Sequence, residues 1–166
     1  MIFKFNISVN NYNNGPKIQI GCNEKVLYRC QLTEAGPQQI EFSEDMQLPN
    51  TLYIEHYDKN MKRDTKVQQG KIIEDKGFSL QSMEIDNIAL DKEIFDFPFQ
   101  TEHGKTLKKN NYFGLNGKML IHIDEDNLPS WFMKLQQSFI NQNVTFDYDL
   151  FKNEIFDGKI DFQLEY

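Results

Sequence analysis

"IFKFNISV", residues 2 to 9, decides the fold class, because apolar and polar side chains alternate through its whole length. A period of two is typical of a β-strand that buries one face and exposes the other. The polar face carries Lys4, Asn6 and Ser8. We therefore expect a half-buried strand whose inward face consists of Phe3, Phe5, Ile7 and Val9.

The same alternation returns along the chain between segments rich in turn residues. It is found in residues 17–22, 25–32, 38–44, 50–57 and 118–124. In residues 78–88 the apolar phase shifts between Leu80 and Met83, which predicts a β-bulge near Gln81 and Ser82. Many short strands separated by turns predict an all-β fold, an antiparallel jelly-roll-like β-sandwich.

The period changes near residue 128, where apolar residues recur at helical spacing and Pro129 suits a first helical turn. Alternation returns in "KIDFQLEY", residues 159–166. We therefore divide the chain into a β-sandwich domain, residues 1–128, and an extension, residues 129–166. The extension should form a helix and a terminal strand that pack on the sandwich or on a partner. Its partner-binding side chains are predicted to be Trp131, Phe132, Leu135, Phe139, Phe162 and Leu164.

Residues 91–111 have weak periodicity and contain Pro98, Gly104 and several aromatic side chains. Long ordered loops on a β-scaffold are where ligands commonly bind. We therefore predict a ligand loop whose candidate contact residues are Phe95, Phe97, Phe99 and His103.

Charge and hydropathy argue against two classes of partner. Twenty-five acidic and 18 basic residues give a net charge of −7, which argues against nucleic acid, since binding to phosphate requires a basic surface. No apolar run is long enough to span a membrane, and the first residues alternate instead of forming a signal-type apolar core. We therefore expect no membrane partner and no export.

Cys22 and Cys30 are expected to be buried free thiols, although a disulfide across neighbouring strands stays open.

No motif for a nucleophile, a phosphate-binding loop or a zinc protease occurs, so we predict that the chain is not an enzyme and select no catalytic residue. Calcium is a separate question, because hard oxygen ligands on loops suit this ion. "DEDN", residues 124–127, lacks the glycine and the distal glutamate of an EF-hand loop. A calcium site built from several loops stays open, with no ligand assigned. His56 is predicted to be a half-buried, hydrogen-bonded residue of its strand.

An ordered series of short motifs carries a family resemblance. The motifs are "LYIEHYDKNMKRDT" (52–65), "GKIIEDKGFSLQSMEIDNIAL" (70–90), "YFGLNGKMLIHID" (112–124) and "LPSWF" (128–132). Together they resemble small β-sandwich modules in virion proteins of tailed, especially marine, bacteriophages. Those modules in turn resemble calcium-dependent xylan-binding jelly rolls. The resemblance covers residues 50–135 and has Phe113 where leucine is usual. Residues 136–166 lie beyond the usual end of these modules.

The resemblance implies a set of scaffold residues at the matching positions of this sequence. They are His56, Lys59, Asp64, Thr65, Gly70, Asp75, Asp86, Gly114, Asn116 and Gly117. Within this set, Asp64 and Thr65 are expected to shape the turn after the strand at 50–57 through side-chain to backbone hydrogen bonds.

The resemblance also implies a function. We expect a non-enzymatic virion structural protein, such as a capsid decoration, neck or tail-associated protein. Its partners would be other virion proteins and copies of itself, and it would be located in the virion after synthesis in the bacterial cytoplasm. The alternative is a calcium-dependent carbohydrate-binding module for host surface glycans. A calcium ion is the one cofactor that either interpretation leaves open.

Overall fold

The computed structural model describes residues 1–91, 93–108 and 110–138, with residues 95 and 96 described by their backbone alone. Within these ranges the chain forms thirteen β-strands, a short helix α1, one 3₁₀ turn and a second helix, α2, over residues 128–138. The early elements are β1 (Ile2–Asn10), β2 (Lys17–Cys22), β3 (Lys25–Gln31), β4 (Gly36–Ser43), β5 (Asn50–Tyr57), α1 (Met61–Asp64), β6 (Thr65–Gln68) and β7 (Lys71–Asp75). They are followed by β8 (Gly77–Ile85), β9 (Ile88–Leu90), the 3₁₀ turn (Glu93–Asp96), β10 (Phe99–Thr101), β11 (Thr106–Leu107), β12 (Tyr112–Phe113) and β13 (Gly117–Ile123).

Two antiparallel sheets face each other and confirm the predicted all-β sandwich. One sheet has the order β12-β8-β1-β4, with β9 also paired to β8. The other has the order β11-β10-β13-β5-β2-β3. Strands β6 and β7 form a separate two-stranded hairpin. The predicted terminal strand, like Phe139, Phe162 and Leu164, lies outside the described residues.

Strand β1 shows how the alternating sequence builds the core. Phe3, Phe5, Ile7 and Val9 are all buried, as predicted, and β1 pairs with β4 on one side and β8 on the other. The register with β8 shifts opposite Asn6 and Ile7, leaving Gln81 without a cross-strand partner. This irregularity confirms the predicted bulge. The bulge lets the apolar side chains of both halves of β8 face inward, although their positions in the sequence change from even to odd numbers.

Aromatic rings fill the centre of the sandwich. Phe78 and Phe113 stack with ring centroids 4.4 Å apart, and Phe99 meets Phe113 edge-on at 5.1 Å. Each fully buried ring contributes about 1.5–3 kcal/mol to the free energy of unfolding. Cys22 and Cys30 are free thiols, as predicted, although Cys30 is only half-buried because it lies on the edge strand β3.

Helix α2 packs on the sandwich, which corrects the predicted role of Trp131. The indole ring is buried, and its Nε1 donates a hydrogen bond of 2.8 Å to the backbone oxygen of His122. Trp131 therefore belongs to the core and is not a surface for a partner. Phe132 and Leu135 are half-buried against the same core. The division of the chain at residue 128 stays a prediction.

The turns at one end of the sandwich surround the candidate site. Strands β1, β5 and β10 end there, and β2, β8 and β13 begin there. We call this the loop end and define it by residues 11–16, 58–76, 102–105 and 114–116. No helix in the described part of the chain is long and apolar enough to cross a membrane.

Candidate functional site

A cleft of about 230 Å³, lined mostly by polar residue types, opens at the loop end, where β5, β10 and β13 lie side by side in the six-stranded sheet. Residues near the ends of these strands form its walls, and residues of the turns next to those strand ends close it. Its lining consists of Glu55, His56, Tyr57, Asp58, Gln100, Thr101, Glu102, Asn116, Gly117 and Lys118.

The side chain of Asn116 fixes one side of the cleft. Its Oδ1 accepts a hydrogen bond of 2.8 Å from the Lys59 backbone N–H, and its Nδ2 donates to the Lys59 backbone oxygen at 3.0 Å. The same Nδ2 donates to Glu102 Oε2 at 3.1 Å. Next to it, a Cβ on Gly117 would stand 2.4 Å from the backbone oxygen of Gln100. A glycine is therefore required where β13 passes β10.

Charged and aromatic groups form the opposite wall. Glu55 accepts a hydrogen bond of 3.1 Å from Gln19 Nε2, and Lys118 Nζ lies 3.6 Å from its carboxylate. The guanidinium of Arg29 lies 5.5 Å from the ring centroid of Tyr57, within cation–π range. These contacts hold the side chains in place beside the cleft.

Asp58 stands at the rim of the cleft and is ionised at neutral pH. Its carboxylate accepts a hydrogen bond from Lys17 Nζ, and this contact lowers the pKa of Asp58 below its usual value. The backbone of Asp58 has a φ of +59°, a left-handed conformation that aspartate tolerates better than most residues. The chain can therefore turn sharply from β5 toward the buried side chain of Lys59.

Beneath the cleft, Lys59 is the centre of a buried polar network. Its side chain is 1% exposed, and its Nζ donates hydrogen bonds to Asp75 Oδ1 and to the backbone oxygen of Gly114. Asp75 also accepts from Thr65 Oγ1 and from the Tyr112 hydroxyl, both at 2.6 Å. Burial and the hydrogen bond to Asp75 raise the pKa of Tyr112 to about 12. The network joins the end of β7 to the turns after β5 and β12.

A second buried carboxylate, that of Asp64, has its own cations. Arg63 donates two hydrogen bonds of 2.8 Å to it, and Lys76 Nζ lies 3.2 Å from its Oδ2. Its Oδ2 also accepts from the Asn60 backbone N–H at 2.9 Å, as expected for a turn-shaping aspartate. The Arg63 guanidinium, aided by this backbone bond and Lys76, keeps the pKa of Asp64 well below its usual range. The expected partner of Thr65 was backbone, but Thr65 binds the Asp75 side chain instead.

His56 differs from its prediction. The residue is fully buried, and its ring meets the edge of Phe78 with centroids 5.7 Å apart. Neither ring nitrogen makes a hydrogen bond of acceptable geometry with the described residues. Burial, with a smaller contribution from the Lys59 charge, lowers the pKa of His56 to about 4, although the nearby Phe113 backbone opposes this shift. The imidazole is therefore neutral at neutral pH and belongs to the core.

Most of the predicted scaffold residues come together at the loop end. Gly70 and Asp86 belong neither to the cleft nor to the contacts of the two buried carboxylates. Gly70 forms the turn of the β6–β7 hairpin with a φ of +75°. Asp86 lies at the opposite end, where its Oδ1 accepts a hydrogen bond of 2.6 Å from the Ile2 backbone N–H. The convergent residues are His56, Lys59, Asp64, Thr65, Asp75, Gly114, Asn116 and Gly117.

The predicted ligand loop is largely core. Phe97 and Phe99 are buried, since β10 pairs with β13 and turns the Phe99 ring inward. The side chain of Phe95 lies outside the described residues. His103 is exposed and lies 3.5 Å from Glu102, in the turn after β10. Its neighbours Gln100, Thr101 and Glu102 line the cleft, so the segment contributes to the site through residues that the sequence did not single out.

Sequence reasoning also missed Glu55, Tyr57 and Lys118. The alternation of β5 places Tyr53, Glu55 and Tyr57 on the outer face, so part of the signal was present. The missing information was the strand order β10-β13-β5, which brings Glu102 and Lys118 to the same place.

Comparison with known proteins identifies the fold. No protein-family model and no curated protein matches the sequence. A solved structure of vCBM60 in complex with galactobiose superposes with a TM-score of 0.50 and 10% identity, covering 74% of this chain and 98% of that one. A selenomethionine form of vCBM60, described with two circularly permuted families of calcium-dependent carbohydrate-binding modules, has a TM-score of 0.52 and 9% identity over 73% of this chain and 89% of that one. The chain has the fold of a carbohydrate-binding module.

These structures correct the function inferred from the sequence. Both are carbohydrate-binding modules, and neither supports a phage origin or a virion role. The prediction of a virion structural protein is therefore wrong, and the alternative, a carbohydrate-binding module, fits the findings better. The xylan-binding-module-like sandwich within the resemblance is confirmed. Neither structure bears on the location of this protein.

The calcium dependence described for the second structure raises the question of whether this chain has suitable ligands. In the described ranges, no group of three or more His, Cys, Asp or Glu side chains is placed to hold a metal ion. The two buried carboxylates at the loop end, Asp64 and Asp75, each have an ammonium partner instead. The described donor set therefore does not fit Ca²⁺.

Proposed function

We propose that this chain is a non-catalytic carbohydrate-binding module that binds a neutral oligosaccharide in the loop-end cleft. The observation that carries the proposal is the cleft itself, whose lining combines carboxylate, amide and ammonium side chains with the aromatic residue Tyr57. The fold supports it, since two structures with this fold are carbohydrate-binding modules and one of them holds galactobiose.

The lining suits the two kinds of surface that a sugar presents, its polar hydroxyl groups and its apolar C–H groups. Sugar hydroxyls donate and accept hydrogen bonds, and Glu55, Gln100 and Glu102 offer both acceptors and donors at the walls. Apolar C–H faces of a sugar pack on aromatic rings, and Tyr57 offers such a ring. The contacts that Asn116 makes to Lys59 and Glu102 hold one wall in place before a ligand arrives, which lowers the entropic cost of binding.

The charge of the cleft favours a neutral ligand. The carboxylates of Glu55, Asp58 and Glu102 border it. Lys118 and Lys17 offset the first two charges, which leaves that of Glu102 in excess. A uronic acid would meet like charge there, and the net charge of −7 adds a long-range repulsion. We therefore expect neutral oligosaccharides to bind and their acidic counterparts to be rejected.

Binding without hydrolysis is consistent with the state of Asp58. A glycosidase needs one carboxylic acid that stays protonated near neutral pH and a second carboxylate across the bond to be broken. Lys17 lowers the pKa of Asp58, which is the opposite of what a proton donor requires.

Another groove is less suited to sugar. It lies on the outer face of the five-stranded sheet and is lined by Asn6, Ile7, Ser8, Pro37, Gln38, Gln39 and Gln81. Its amides already bond to neighbours, with Gln39 donating to Asn6 and Asn6 to Ser82. No aromatic ring lines it.

The test compares cleft variants with matched controls by calorimetric titration of neutral oligosaccharides, galactobiose among them. Tyr57→Ala should weaken binding about tenfold or more through loss of the stacking surface. Glu102→Gln should weaken it because an anionic acceptor becomes neutral. The controls are Tyr12→Ala and Glu74→Gln, which lie outside the cleft lining and should bind as wild type. Equal loss in variants and controls, or no loss in any of them, would overturn the assignment of the cleft.

A further inference from the structure

We infer that the buried ammonium of Lys59 takes the structural place of a bound Ca²⁺ ion in this chain, so that the loop end is assembled and binds its ligand without calcium. The inference starts from a disagreement. A structure of this fold is described with calcium-dependent modules, whereas the described residues of this chain do not form a calcium site.

The groups around the Lys59 ammonium are of the type that calcium prefers. Ca²⁺ takes carboxylate and carbonyl oxygens from several loop positions. Here Asp75 Oδ1 and the backbone oxygen of Gly114 both accept hydrogen bonds from Lys59 Nζ. They come from the end of β7 and from the turn after β12, far apart in the sequence. One positive charge therefore joins two segments through oxygen atoms, as a metal ion would.

Burial makes the ammonium a permanent part of the fold. The side chain of Lys59 is 1% exposed and that of Asp75 is 10% exposed. Thr65 and Tyr112 donate further hydrogen bonds to the same carboxylate. An entering Ca²⁺ ion would have to displace a covalently tethered cation and break these bonds. The tether also removes the translational entropy that a free ion loses on binding.

Asp64, the second buried carboxylate of this end, is balanced in the same way. Arg63 and Lys76 supply its positive charge, and no further cation is needed to neutralise it. Both buried acids of the described loop end thus carry their own cations. The two buried charges that would attract Ca²⁺ into the loop end are therefore cancelled within the chain.

Lys59 also connects this assembly to the cleft. Its backbone N–H and backbone oxygen both bond to Asn116, which lines the cleft and holds Glu102. Lys59 is therefore a positioning residue for the proposed sugar site. This consequence rests on the proposed function, whereas the cation-replacing role of Lys59 rests on the contacts alone.

The first test uses the wild-type chain and Ca²⁺ alone, so it does not depend on sugar binding. Chelator-treated protein is titrated with CaCl₂ in a calorimeter. The final concentration exceeds about 1 mM, the upper end of the dissociation constants of extracellular calcium modules. Its Tm is measured with CaCl₂ and with EDTA. We expect no saturable heat and the same Tm in both conditions. Saturable Ca²⁺ binding, or a Tm that falls by several degrees in EDTA, would overturn the inference.

The second test removes the ammonium while keeping an unbranched side chain of similar size. Lys59→Met should lower the Tm by on the order of 10 °C, because Asp75 is left buried without its cation. CaCl₂ should then raise the Tm of this variant, since the freed oxygen atoms can accept an ion. Lys62→Met, an exposed neighbour, is the matched control and should show neither effect. A Lys59→Met protein as stable as that control, or one that ignores CaCl₂, would contradict the inference.

Discussion

At the scale of the residue, the molecule depends on a few buried polar side chains whose partners come from distant parts of the chain. Asp75 illustrates this, because Lys59, Thr65 and Tyr112 all donate to its carboxylate. Each of these partners is an ordinary polar residue in the sequence. Their contacts follow from the fold, so the family resemblance marked several of these positions but did not give their role.

Removing the Asp75 carboxylate should be costly. Asp75→Asn leaves the buried ammonium of Lys59 without its counter-charge, and losing one member of a buried ion pair costs about 3–5 kcal/mol. Urea denaturation should show this loss in the free energy of unfolding. Glu74→Gln, an exposed neighbour, should change it by about 0.5 kcal/mol or less. Equal stability of the two variants would contradict the buried network.

The buried imidazole of His56 predicts a specific pH dependence. Its pKa is lowered to about 4 in the folded chain, from an unfolded value of 6.5, so the unfolded state binds the proton more tightly. The contribution of His56 to stability is complete above pH 6.5 and is lost as the pH falls toward 4, by about 3 kcal/mol in total. Urea midpoints between pH 7.5 and 4 measure it.

The control for this pH effect is an exposed histidine. His56→Leu should flatten the stability profile between pH 6.5 and 4, whereas His122→Gln, on the outer face of β13, should leave its slope unchanged. A profile that keeps its wild-type slope in His56→Leu would show that His56 is accessible to protons in the folded state.

At the scale of the element, alternation in the sequence predicted the faces of the strands well. The burial of β1 and the bulge at Gln81 followed from local pattern alone, because the period of two residues along a strand decides which side chains face inward. Strand β10 was missed because it has three residues and follows Pro98, too short a segment to display a period. Strand order was beyond the sequence as well, because β10, β13 and β5 are joined by long-range pairing.

The β6–β7 hairpin should contribute little to global stability. Val67 and Ile72 are cross-strand partners, yet both are exposed, at 58% and 61%. Replacing both by threonine should change the free energy of unfolding by about 1 kcal/mol or less. Ile54→Ala on β5, a fully buried site, should cost about 2–5 kcal/mol. Urea denaturation compares the two variants. A large loss of unfolding free energy in the hairpin variant would contradict the exposure of Val67 and Ile72.

At the scale of the whole molecule, the sequence predicted the sandwich and misassigned its function. The resemblance to virion modules rested on motifs such as Asp64-Thr65 and Gly114, which form turns and the buried network. Residues of this kind specify a scaffold, and a scaffold serves many functions. In the proposed function the cleft residues Glu55, Tyr57 and Glu102 contact the ligand, and they lie outside those scaffold positions.

The most direct measurement is a binding titration of the wild-type chain with neutral and uronic-acid-bearing oligosaccharides, each with CaCl₂ and with EDTA. A carbohydrate-binding module of the proposed type should bind a neutral oligosaccharide saturably and with the same affinity in both conditions, and should reject the acidic one. Binding that disappears in EDTA would contradict the role given to Lys59 but not the sugar site. The absence of any oligosaccharide binding, even with CaCl₂, would contradict the proposed function itself.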